Sequence, residues 1–151
     1  MFWWKLLHFI LPCKVLLFQW KISSDAACNY CYRIENYEHF FISCTYLQEF
    51  WNKMYTMCDI LGLGRHIFSL KNMIWGYKIQ QKGYEDVNCF LTILLFTIYK
   101  AYYISDQKTR MINVFNLFKN EINQSILLEK AVRKSCPLLL IKIQSICQGN
   151  P

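Results

Sequence analysis

Three observations in the 151-residue sequence predict a mainly α fold. Glycine (5) and proline (3) are sparse while 54% of residues are hydrophobic and 17% aromatic, a composition that excludes a disordered chain and favours packed helices. Apolar residues recur at helical spacing through several long stretches. Cys28, Cys31, His39 and Cys44 stand at C-x2-C-x7-H-x4-C spacing, a complete ligand set for one tetrahedral metal ion. The predicted architecture is a small zinc knuckle between an N-terminal helical pair and a C-terminal bundle of longer amphipathic helices. Residues 1–61 are expected to hold the knuckle and its flanking helices. Residues 62–151 are expected to form a helical C-terminal region packed with them as one unit.

Residues 3–10 and 12–20 have the spacing of two short helices, the second with Pro12 in its first turn, where a missing N–H is harmless. Ser23-Ser24-Asp25 breaks that pattern. Asn36 is placed to cap a short helix over residues 37–43 that carries His39 and delivers Cys44 at its end. Five residues apart, the two side chains would point about 140° apart on an α-helix, so sharing one ion requires the helix to end or bend near Cys44. Thr45-x-x-Gln48 then reads as a capping box, opening a helix with Leu47, Phe50, Trp51, Met54, Cys58 and Leu61 on one face. Gly62 and Gly64 end it.

Ser69 is placed to cap a short helix reaching Trp75, and Gly76 and Gly83 bracket a loop. Asp86 or Asn88 should open a helix to about Ser105 that buries Phe90, Leu91, Leu94, Leu95 and Ile98. Its apolar run, residues 89–98, falls short of the roughly 20 residues a membrane span needs, so no membrane partner is expected. Met111, Phe115, Phe118 and Ile122 mark another helix. Pro137 ends helical order, and residues 138–143 are either extended or a last short helix.

Three thiolates and one imidazole leave no open position for water or substrate, which makes one Zn²⁺ structural rather than catalytic. The remaining cysteines, Cys13, Cys58, Cys89, Cys136 and Cys147, sit singly among apolar residues and read as small hydrophobes. Without a basic region before the first apolar run, the N-terminus does not read as a signal peptide. An intracellular setting, cytoplasm or nucleus, is expected. A net charge of +7 and a pI near 9.0 favour an anionic partner. Residues 100–142 hold eight basic side chains, Lys108 and Arg110 among them, against three acidic ones. Within the knuckle, Tyr30, Tyr32, Arg33 and Tyr37 are candidates to stack on and clamp an unpaired strand, RNA or single-stranded DNA.

The run Trp4-Lys5-Leu6-Leu7-His8, Ile10-Leu11-Pro12, Leu17 to Ile22, then the four ligands with Glu35, Glu38, Phe40, Phe41, Phe50 and Trp51, resembles the zinc-binding (CCHC) C-terminal domain of non-LTR, LINE-type retrotransposon reverse transcriptases. Residues 74–78 and the helix over 94–103 are similar to the helical tail that follows it. The resemblance implies a domain that helps a polymerase grip nucleic acid, with the polymerase part of a parent polyprotein as a second partner. Tyr32 departs from it, standing where glycine commonly follows the second cysteine. Catalysis by such a polymerase needs adjacent aspartates for its metal ions, and Tyr84-Glu85-Asp86-Val87 has valine in the second place. With no phosphate loop and no metalloprotease helix either, the chain is expected to be a truncated, non-enzymatic module. His8 and His66 read as core or surface histidines. The alternative is a zinc-folded structural or protein-interaction remnant that binds no nucleic acid.

Overall fold

The computed structural model describes residues 2–78, 80–81, 83–105, 113–133 and 137–149. Among the described residues seven α-helices follow one another: α1 (Phe2–Leu7), α2 (Lys14–Gln19), α3 (Gln48–Leu61), α4 (Leu70–Trp75), α5 (Glu85–Ser105), α6 (Val114–Arg133) and α7 (Leu138–Cys147). The described residues contain no strand, only an isolated antiparallel bridge between Ala27 and Ile34. The chain divides into two compact units, Met1–Asn52 and Lys53–Pro151.

In the first unit α1 and α2 end alike. The amides of Phe9 and Ile10 bond back to the carbonyls of Leu6 and Lys5, and those of Lys21 and Ile22 to Phe18 and Leu17. Both are Schellman ends, in which the residue past the helix turns left-handed. Here that residue is Phe9 (φ 53°) and Lys21 (φ 59°) rather than glycine. A side chain in that region costs roughly 1–2 kcal/mol, so Lys21→Gly should raise the stability of the first unit by about 1 kcal/mol, read as a higher midpoint in urea. α3 ends the same way with Gly62 (φ 67°), Leu63 N–H reaching the Cys58 carbonyl at 2.9 Å.

Pro12 lies outside α2, with Cys13 as the residue that precedes its first turn. The expected position inside the helix is therefore corrected by two residues. The capping box over residues 45–48 is also replaced. Residues Thr45–Leu47 form a 3₁₀ turn that feeds α3, and Cys44 enters it with extended backbone. Leu6, Leu11, Phe40, Phe41, Leu47, Phe50 and Trp51 are buried in this unit.

In the second unit α5 packs on α6 and α7, α6 on α7, and α4 on α5. Phe90, Leu91, Leu94, Leu95 and Ile98 are buried as their spacing predicts, together with Phe118, Ile122, Ile126, Leu140 and Ile143. The Phe90 and Phe118 rings meet edge to face at 6.1 Å. Phe115 is only half-buried, at the rim, with the Lys53 and Lys119 ammonium groups 4.9 and 5.6 Å from its ring centre. Met111 lies outside the described residues. Ser69 caps α4 by accepting from the Asn72 amide at 3.2 Å, and residues 138–143 are helical within α7. Asp86 holds the start of α7, accepting from the Leu139 amide at 3.3 Å. α5 itself opens one residue before Asp86.

One expectation about α5 needs correcting. The helix extends the apolar run on both sides, and over Glu85–Ile104 it is long and apolar enough to cross a membrane. Length therefore gives no argument against a span. Half of that stretch lies inside the protein, and Lys100 near its end pairs with the largely buried Glu121 at 2.6 Å.

Candidate metal centre

A short hairpin carries the first two ligands. Asp25 accepts from the Ala27 amide, Glu35 N–H bonds to Ala26 O, and Cys28 N–H bonds to Arg33 O at 2.8 Å. Tyr32 N–H reaches back to Cys28 O at 2.9 Å, closing a tight turn that places the Cys28 and Cys31 sulfurs on one side. The last turn residue, Tyr32, is left-handed at φ 60°. A left-handed residue at this point of the turn is the conformation that glycine adopts without strain.

The other two ligands come from a widened helical turn. Asn36 Oδ1 caps it, accepting from His39 N–H at 2.8 Å. Over His39–Ser43 the turn is a π-helix, and the Cys44 amide bonds to the His39 carbonyl five residues back at 3.1 Å. An i→i+5 bond stacks residues five apart where an α-helix stacks residues four apart. This resolves the 140° conflict: widening the turn brings His39 and Cys44 together, and Cys44 then leaves in extended conformation (φ −66°, ψ 132°).

The four ligand atoms all lie within 4.8 Å of one another. Cys28 Sγ and Cys44 Sγ are 3.7 Å apart, and Cys31 Sγ is 3.2 Å from His39 Nε2. Two thiolates bound tetrahedrally at Zn–S of about 2.3 Å are separated by ~3.8 Å, so the cluster is suited to one zinc ion. Cys28, His39 and Cys44 are buried and Cys31 partly so. Burial, followed by the Arg33 charge, holds His39 below the usual histidine range, which favours the neutral imidazole a metal requires. The contact between the two sulfurs holds the Cys28 thiol above the usual range and Cys44 below it.

Around this centre the aromatic side chains divide. Tyr30 stacks on Tyr46 with ring centres 4.5 Å apart. Tyr37 is half-buried, donates its hydroxyl to Leu11 O at 2.9 Å, and packs against Phe9 and Phe41. Burial pushes its phenol up to about 12. Tyr32 is 84% exposed, and Arg33 beside it is exposed too. Lys108 and Arg110 lie outside the described residues, as does Cys136.

Glu35 is no metal ligand, yet it is fully buried. Its Oε1 accepts from the Lys14 amide at 2.9 Å and its carbonyl from the Val15 amide at 3.2 Å. A carboxylate 21 residues away thus caps α2 and ties it to the hairpin. Only the fold distinguishes it from Glu38, three residues on and exposed. Glu35→Ala should destabilise the first unit by about 1–3 kcal/mol, the cost of leaving the Lys14 amide without its acceptor. Thermal unfolding of the zinc-loaded chain checks this, with Glu35→Gln losing less.

Residues 1–51 match the family model described as zinc-binding in reverse transcriptase. No curated protein and no solved structure matches the chain.

Proposed function

Starting from residues 1–51 as a reverse-transcriptase zinc-binding domain, we propose that this chain is a zinc-folded module that binds unpaired nucleic acid and catalyses no reaction of its own. The observation that carries the proposal is Tyr32. A bulky aromatic occupies a left-handed position and is 84% exposed, so its conformational cost is not repaid by burial. Strain of this kind collects where a side chain is used. Base stacking is the use that fits an exposed ring beside the Arg33 cation.

Charge supports a division of labour. Residues 1–52 hold four basic and four acidic side chains, whereas residues 53–151 hold thirteen basic and six acidic. The whole surplus of +7 therefore lies in the second unit. The knuckle is fitted to contact bases, and the helical unit to contact phosphates. No two aspartates are adjacent anywhere in the sequence, in keeping with a binding rather than a polymerising role. Four metal-binding side chains of which three are thiols suit a reducing, intracellular setting.

The test is an isotherm of the zinc-loaded chain with single-stranded RNA at low salt. Binding that weakens as salt rises is expected, and a flat isotherm would sink the proposal. Tyr32→Gly should separate the two roles of this position. It should raise stability by about 1 kcal/mol through relief of the left-handed strain and weaken RNA binding by roughly tenfold through loss of one stacked base. A variant that gains stability and keeps its affinity would show Tyr32 to be idle.

A second reading rests on a different feature. Trp4, Phe18, Trp20 and Ile22 are each at least 45% exposed in a unit with no net charge, which suits packing against another protein. The polymerase part of a parent polyprotein is the partner implied by the family match. Chain that is monomeric, soluble and silent towards RNA would favour it.

A further inference from the structure

The second unit carries an aromatic and cationic cluster far in sequence from the zinc ligands. His66 Nε2 lies 2.8 Å from the Tyr77 hydroxyl. Lys78 Nζ donates to the Tyr84 hydroxyl at 3.0 Å and lies 5.4 and 4.9 Å from the Tyr77 and Tyr84 ring centres. Those two rings meet edge to face at 5.3 Å. Trp75, two residues before Tyr77, is 51% exposed. A surface loop of this composition usually has no fixed arrangement, but this one is built.

Four details hold it. Asn88 on α5 clamps the Tyr77 backbone from both sides, accepting from its amide at 2.7 Å and donating to its carbonyl at 3.1 Å. Gly76 (φ 87°) and Lys78 (φ 44°) are left-handed on either side of Tyr77. Glu85 accepts from the Gly83 amide at 2.7 Å. The His66 ring lies so close over Gly64 that a Cβ there would stand 2.3 Å from it. The outcome is one patch holding an exposed ammonium, an exposed imidazole and two phenol hydroxyls, with an exposed indole next to it in the chain. The Tyr84 hydroxyl holds the Lys78 ammonium above the usual lysine range, so it stays charged.

From this juxtaposition we infer that His66, Tyr77, Lys78 and Tyr84 form a second nucleic-acid contact, which takes one phosphodiester of an unpaired strand while Trp75 stacks on a neighbouring base. The inference rests on the nucleic-acid reading above and adds the place where the helical unit makes its contact. Ammonium and hydroxyl donors at fixed positions are what a phosphate recognises, and an exposed indole beside them suits a base of any identity. Asn88 is a positioning residue, half-buried against the Tyr77 backbone and contacting no ligand itself.

The experiment measures affinity of the full zinc-loaded chain for a labelled single-stranded oligouridine across a salt series. Lys78→Gln should weaken binding several-fold and reduce the salt slope by about 1, the signature of one lost phosphate contact. Trp75→Ala should weaken binding by roughly tenfold with the salt slope unchanged. Asn88→Ala should weaken it with the charge intact, and unchanged helical circular dichroism would separate this from unfolding. Inorganic polyphosphate of equal charge should bind less tightly than the oligouridine. If wild-type chain binds RNA and all three variants match it in affinity and slope, this site is wrong and the general reading stands. Equal affinity for polyphosphate overturns the stacking assignment. No RNA binding by the wild-type chain overturns both readings.

Discussion

Serine at Cys28 or at Cys44 is expected to abolish stoichiometric zinc and to unfold residues 1–52, leaving the helices of residues 53–151 in place. The reasoning is one of size. A unit of 52 residues is small enough that its apolar core alone is marginal. Structural zinc contributes on the order of 10–16 kcal/mol to such a fold. The dependence is direct here, because one pair of ligands sits on the hairpin and the other on the widened turn, and the metal joins them. The second unit is nearly twice as long and encloses Phe90, Leu94, Phe118, Ile122 and Ile143. Metal analysis should give one zinc per wild-type chain and none in either variant. Far-ultraviolet circular dichroism should then show a partial loss of helix, reproduced by chelation of the wild type. One zinc per chain in both variants would disprove the ligand assignment.

Phe41→Ala should cost about 3–5 kcal/mol, the usual range for deleting a buried phenyl ring. Phe41 lies between His39 and Cys44, is fully buried, and meets Phe40 edge to face at 4.7 Å. Its carbonyl accepts from the Trp51 indole at 3.2 Å, so the residue whose ring fills the core of the ligand turn also links that turn to α3 through its backbone. The expected results are a lower midpoint in denaturant and faster zinc transfer to a competing chelator. Phe41→Leu should recover most of the stability, since it refills much of the volume. A variant that loses stability with unchanged zinc transfer would separate the core from the metal site.

The ligands were legible because zinc restricts both residue type and spacing, and a few residues carry the whole signal. The need for a bend near Cys44 was legible as well, although its form was not. A π-turn is defined by the Cys44 amide reaching the His39 carbonyl five residues back, a bond that helical periodicity does not register. Helix ends were harder to read. α1 and α2 end on left-handed Phe9 and Lys21, where the usual glycine is missing, so residues 3–10 and 12–20 read as longer helices than Phe2–Leu7 and Lys14–Gln19. The capping role of Glu35 is not legible because its partner amides lie 20 and 21 residues earlier in the chain. The exposure of Tyr32 and the half-burial of Tyr37 are likewise tertiary facts. Two tyrosines five residues apart look alike until a fold places one against Leu11 and the other in solvent.

The wide turn between His39 and Cys44 also makes the gap between them a matter of counting. Deleting Ile42, whose side chain is not among the fully buried ones, would leave the histidine and cysteine four residues apart, on one face of an ordinary α-helix. A ligand gap of three residues with a regular helix and a gap of four with a π-turn are therefore two solutions to the same geometric problem. The shortened chain should still bind one zinc. The extra residue would then be recognisable as a single insertion absorbed by the helix, with the metal centre unchanged.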